Sequence, residues 1–153
     1  MIELSEEYLS RFPIQLRECL ARNEKEKEAF GREVCDDFPD YIVYRAIHSN
    51  EKIDENDFLG NAEDADVLGL SFSDRNRKKH IWHAVSVNES IEMLKHAINF
   101  PNERRKLLGI AKGVMRAKHG PADFKNGATH HNWYLYENEN KIVVNDFEVI
   151  KIE

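Results

Sequence analysis

The sequence predicts an α+β fold: a mixed or antiparallel sheet preceded by an N-terminal helical segment, with inserted helices on one side. Three observations carry this reading. Residues before Pro39 show helical spacing, β-branched and aromatic runs recur from Tyr41 to Ile150, and the prolines fall between periodic segments rather than inside them.

Ser5 is placed to cap a short turn, and Ile14 to Phe38 reads as helix because Phe30, Val34 and Phe38 recur every four residues. Gly31 permits two helices with a bend. Tyr41 to Ile47 is rich in β-branched and aromatic side chains and predicts a strand. A short helix around Asp57 to Ala65, a strand from Val67 to Ser73 and a basic loop from Arg75 to Lys79 follow. Alternation over Ile81 to Val87 suggests a further strand, with a helix through His80 to Ala84 as the alternative. Asn88 is a suitable cap for a helix from Glu89 to Asn99, whose Ile91, Leu94 and Ile98 share a face. Strands are then expected over Ile110 to Lys118, Thr129 to Tyr136 and Lys141 to Ile150, the last two joined as a hairpin through Glu137 to Asn140.

With 153 residues, a single domain spanning 1–153 is expected, since two domains would both be undersized. The apolar fraction of 41% and charged fraction of 33% fit a soluble globular chain, and no apolar run is long enough to span a membrane. Acidic Glu3, Glu6 and Glu7 stand where a signal peptide would begin with basic residues, so the expected location is cytoplasmic. Cys19 and Cys35 lack metal or redox spacing and read as small buried hydrophobes. The net charge of −6 argues against nucleic acid as a partner. Charge is nevertheless uneven: acids crowd Glu51 to Asp66, and bases crowd Arg104 to Lys118. Such asymmetry suits a protein partner.

No phosphate loop, zinc-protease helix, nucleophile elbow or calcium loop is present. Three constellations remain. The first is the histidines His80, His83, His119, His130 and His131, whose strand spacing does not converge on a metal, so none is expected. The second is the aromatic strand: alternation sends His131, Trp133 and Leu135 to one face and Asn132, Tyr134 and Tyr136 to the other. His119, His131, Trp133 and Tyr134 are therefore candidate ligand contacts, set against a purely structural role in the core.

The third constellation joins Tyr44 and Arg45, Ser71 and Ser73, and Asp146 to Glu148. An arginine within an apolar strand needs a partner, either an acid on a neighbouring strand or an anion in a cleft. The order Arg45, Ser71, Glu148 resembles the Arg-Ser-Glu arrangement of ADP-ribosyltransferases. That resemblance implies NAD as substrate, with Arg45 on its phosphates, Ser71 bracing the site and Glu148 at the nicotinamide ribose. Tyr44 and Ser73, of the same constellation, are candidate ligand contacts. Two functions follow as expectations. One is a small protein-binding protein, immunity or antitoxin-like and without cofactor; the other is an NAD-dependent transferase using Arg45, Ser71 and Glu148 as catalytic residues.

Overall fold

The computed structural model describes residues 2–99, 107–125 and 127–151. It is an α+β fold built on one antiparallel sheet of six strands in the order β4-β5-β2-β1-β3-β6. The strands are β1 (Tyr41–Ile47), β2 (Val85–Asn88), β3 (Gly109–Met115), β4 (Ala122–Phe124), β5 (His130–Trp133) and β6 (Phe147–Ile150).

The N-terminal segment contains α1 (Glu6–Leu9), α2 (Ile14–Arg22) and α3 (Glu24–Glu33). Ser5 caps α1 as expected, its side chain accepting from the Tyr8 amide. The long helical segment is broken at Asn23, not at Gly31. The Asn23 backbone is extended, and its side-chain oxygen accepts from the amides of Lys25 and Glu26, which starts α3 afresh. Phe12, Leu16, Leu20, Phe30 and Val34 form a cluster with Ala84, Tyr134 and Tyr136, so the helices pack on the ends of β2 and β5.

Strand register sorts the main core. Val43, Arg45 and Ile47 of β1 lie opposite Gly113, Ala111 and Gly109 of β3, and Ala111 and Gly113 in turn oppose Val149 and Phe147 of β6. On the other half, Val85 opposes Trp133, which opposes Ala122. These residues share one face and bury Val43, Ile47, Val85, Val87, Ala111, Met115, Trp133 and Phe147 together with Phe58 and Val143. Phe58 ends the 3-10 turn Glu55–Phe58, and Val143 ends α7 (Asn140–Val143).

Several expected elements are replaced. Val67 to Ser73 is not a strand: α4 (Asn61–Leu68) runs through its start and stops at Gly69, which adopts the left-handed φ of 70° that closes a helix. Ser73 caps α5 (Asp74–Arg77) where a loop is expected. His80–His83 forms a 3-10 turn, the alternative to a strand there, and only Val85–Asn88 pairs. The hairpin between Thr129–Tyr136 and Lys141–Ile150 does not exist. Residues 140–146 are helical, and β5 and β6 lie on opposite halves of the sheet. The helix expected from Glu89 to Asn99 is present as α6 (Ile91–Asn99), following an Asn88 side chain that accepts from the Ser90 amide. Of the basic stretch, Arg104, Arg105 and Lys106 lie outside the described residues. No described helix is long and apolar enough to cross a membrane.

Candidate functional site

The sheet consists of two three-stranded halves, β4-β5-β2 and β1-β3-β6, and the seam between them is thin. β1 and β3 pair at seven positions, from Tyr41 with Met115 to Ile47 with Gly109, whereas β1 and β2 pair only at Tyr44 with Asn88. Arg45 bridges the two halves next to that pair. Its Nε donates to the Asp57 carbonyl at 2.9 Å, one terminal nitrogen donates to the Ser86 carbonyl at 2.8 Å and the other to the Leu59 carbonyl at 3.1 Å. These three partners of the buried guanidinium are backbone oxygens, which carry no residue-type signature.

On the opposite face of β2 from Val85 and Val87 sits Ser86. Its Oγ lies 2.5 Å from Nε2 of His130 on β5. Desolvation of the ring, followed by the charges of His131, Lys125 and Arg45, holds the His130 imidazole below its ordinary pKa. It is therefore neutral at pH 7, and with the proton on Nδ1 its Nε2 accepts the serine hydroxyl. A hydroxyl and a neutral imidazole in contact are the elements of a nucleophile or acid-base pair. Asn132 and Asp123 continue the row: Ser86 opposes Asn132, and Asn132 opposes Asp123.

The residues singled out in the sequence are dispersed. Arg45 is at the seam, but Ser71 is exposed in the segment between α4 and α5, and Glu148 is exposed on the far edge strand β6. Glu148 pairs with Lys112, which pairs with Tyr44, so it faces away from Arg45, whose row runs through Ala111 to Val149. It lines a shallow depression of about 290 Å³ with Ile42, Lys112 and Asp146. Tyr44 is adjacent to the seam through its pairing with Asn88. Ser73 is occupied as a helix cap, its Oγ accepting from Asn76.

His119 is buried, with Nδ1 at 3.2 Å from Glu139 and Nε2 at 3.5 Å from Asp146. His131 is buried on the core face, with Nε2 at 2.7 Å from Glu89. Trp133 is wholly buried and donates to the Gly120 carbonyl. Tyr134 is wholly buried under the N-terminal helices, its ring edge-on to Phe30 at 4.9 Å. The aromatic strand therefore serves mainly to pack both cores, as its structural alternative holds.

A cleft of about 580 Å³ opens elsewhere, between α2 and α5, lined by Cys19, Arg22, Asp74, Arg77, Lys78 and His83 among others. His83 is buried at its inner wall, with Nδ1 at 2.6 Å from Glu63 and Nε2 at 2.8 Å from the Arg77 carbonyl. Burial works against its charge, but hydrogen bonds to Cys19 and Glu63, the Glu63 charge and the Arg77 carbonyl push its pKa up to about 10. Both ring nitrogens act as donors, so this histidine has no lone pair to offer as a base. It is a charged staple between α4, α5 and the turn at His80–His83. The His80 nitrogens reach Glu26 at 3.1 Å and Glu33 at 2.9 Å, tying the same turn to α3.

Contrary to the sequence reading, Cys35 is exposed; Cys19 is buried as expected. No group of three or more His, Cys, Asp or Glu that could hold a metal occurs among the described residues.

Ser86 and His130 together escape sequence reasoning. His130 is visible as one of two adjacent histidines, and Ser86 as the polar member of an alternating Val-Ser-Val, but their meeting depends on the pairing of β2 with β5 across 44 residues. Comparison with known proteins gives no match to a family model, a curated protein or a solved structure.

Proposed function

We propose that this protein is a small transferase of the ADP-ribosyltransferase type, acting on NAD at the seam of the sheet. The observation that carries the reading is the contact of Ser86 Oγ with His130 Nε2 at 2.5 Å, beside an Arg45 that is hydrogen-bonded to the Ser86 carbonyl. The arginine, the serine and the third polar residue keep their chain order, but the serine is Ser86 in place of Ser71, and His130 stands where the resemblance places Glu148. Arg45 is the positioning residue: three carbonyls fix its fork, and it in turn fixes Ser86.

The reaction class is cleavage of the bond between the ribose C1′ and the nicotinamide nitrogen. Nicotinamide leaves with the bonding electron pair, C1′ bonds to an acceptor oxygen or nitrogen, and the acceptor's proton passes to the neutral His130 Nε2. Water as acceptor gives hydrolysis by the same steps. Acyl transfer by a Ser-His pair is the less supported chemistry, because no carboxylate among the described residues hydrogen-bonds His130 to orient it.

Titration calorimetry with NAD, together with assay of nicotinamide release, tests the proposal. Binding in the micromolar range, with release slowed at least about 100-fold in His130→Ala, is expected. Absence of both in the wild-type protein would sink the enzyme reading.

A non-catalytic, immunity- or antitoxin-like role is the second reading, and the exposed acids Glu51 and Glu55 favour it. Its test is capture of a specific polypeptide whose association slows with added salt.

A further inference from the structure

The cleft of about 580 Å³ between α2 and α5 has no part in the chemistry proposed at the seam. Its walls are two helix stripes. Gln15, Glu18, Cys19 and Arg22 recur at spacings of three and four along one face of α2, while Leu16 and Leu20 take the adjoining face into the N-terminal core. Asp74, Arg77 and Lys78 form the corresponding stripe at α5. Helix faces that pack directly on one another are apolar as a rule; these are polar, and the space between them is of a size that suits a small molecule.

Part of the polar lining is already used. Gln15 donates to Asp66 and accepts from Arg77, both at 2.9 Å, and the buried His83 is bonded to Glu63 and to the Arg77 carbonyl. Four charged side chains differ from these. Glu18 and Arg22 meet only at 3.8 Å, and both are at least half exposed. Asp74 and Lys78 form no side-chain hydrogen bond or ion pair among the described residues, although Asp74 acts on Arg77 at longer range. Each helix thus brings one acid and one base to the rim, and no ion pair closes between Glu18 or Arg22 on one side and Asp74 or Lys78 on the other.

A ligand with a single charge is attracted by half of this rim and repelled by the other half, whereas a ligand with both an ammonium and a carboxylate is attracted by all of it. The inner wall has a different character. Cys19 is buried and both His83 nitrogens are taken, so this wall favours an apolar group over a polar one. We infer that the cleft binds a small zwitterion with an aliphatic side chain, a free amino acid or a short peptide. Glu18 and Asp74 attract its ammonium, Arg22 and Lys78 attract its carboxylate, and its side chain rests on Cys19 and the His83 ring. The site is independent of the transferase reading.

The experiment is calorimetric titration of the full chain with leucine, with dileucine and with two single-charge analogues, 3-methylbutylamine and 4-methylpentanoate. Leucine or dileucine should bind at least about tenfold more tightly than either analogue, because each analogue lacks one set of charge-assisted contacts; the tighter of the two zwitterions tells amino acid from peptide. Lys78→Met should weaken zwitterion binding about tenfold and leave 3-methylbutylamine unaffected, and Asp74→Asn should weaken it as much and leave 4-methylpentanoate unaffected. Both residues are exposed, and thermal unfolding checks that both variants keep the fold. In a Cys35→Ser background, which removes the exposed thiol, the zwitterion should also slow alkylation of Cys19. No binding of either zwitterion, affinity equal to that of the analogues, or affinity unchanged in both folded variants overturns the inference. Binding that leaves the alkylation of Cys19 unchanged overturns its placement in this cleft. Nicotinamide release reports on the seam alone, so either reading can fail without the other.

Discussion

Arg45 illustrates how far a single residue can be read. A guanidinium between Val43 and Ile47 demands partners, and that demand is legible in the sequence; the identity of the partners is not, because backbone carbonyls leave no trace in residue type. Arg45→Met leaves one buried and two part-buried carbonyls without these donors, and unfolding by urea should show a loss of about 3 kcal/mol. Arg45→Lys keeps the charge but not the planar fork and should recover less than half of that loss. A Met variant as stable as wild type would remove Arg45 as the brace of the seam. His83 gives a second prediction at this scale, in pH. Its folded pKa, about 10, is raised above the ordinary value of 6.5, so its contribution to stability is fully present below about pH 6.5 and is lost as pH rises towards 10. Across that window the unfolding free energy should fall with a limiting slope of about 1.4 kcal/mol per pH unit, and His83→Gln should flatten it.

Elements are legible where local chemistry decides them and illegible where distant packing does. Tyr41 to Ile47 has strand composition and is β1, and Ser5 supplies the cap its residue type predicts, whereas Asn88, expected to cap the next helix, ends β2 and accepts from the Ser90 amide just before α6. Val67 to Ser73 has strand composition too, but its first residues finish α4, whose end is set by Gly69. Lys141 to Ile150 contains enough β-branched residues for one long strand, yet Val143 is taken by the core as part of α7. The break between α2 and α3 makes a direct test: Asn23→Ala removes the acceptor for two amides and should cost about 1 kcal/mol in thermal or denaturant unfolding, with Asn23→Asp near neutral. The acidic stretch requires a similar correction. Asp54 and Asp57 form a capping box, Asp57 also accepts from the His48 amide, Asp64 lies 2.9 Å from His48 and Asp66 holds Arg77, so most of those acids work inside the fold. Only reversals at Glu51 and Glu55 test a docking surface without breaking structure. Slower association of Glu51→Lys/Glu55→Lys with a captured polypeptide is what the binding reading requires.

At the scale of the whole molecule, the seam decides how the two halves of the sheet behave. Seven paired positions tie β1 to β3 and four tie β2 to β5, whereas one pair, Tyr44 with Asn88, ties β1 to β2. Neither the thinness of this joint nor its place is visible in the sequence, since both result from pairings between strands far apart along the chain. A sheet joined so weakly should open there before it unfolds, because the cost of separating two strands grows with the hydrogen bonding and side-chain packing that hold them together. Native-state hydrogen exchange should therefore show the amides of Tyr44 and Asn88 exchanging faster than those of Val43 or Ala111 by at least about tenfold, a difference near 1.4 kcal/mol in opening free energy. Arg45→Lys should widen that difference by loosening the brace to Ser86, while exchange at Val43 and Ala111 changes little. A ligand seated at the seam should narrow it, because a molecule that contacts both halves binds the closed sheet in preference to the open one. Addition of NAD should therefore slow exchange at Tyr44 and Asn88 more than elsewhere in the sheet. Uniform exchange across all the strands, unchanged by Arg45→Lys and by NAD, would show instead that the sheet behaves as one cooperative unit and that the seam is neither a joint nor a binding site.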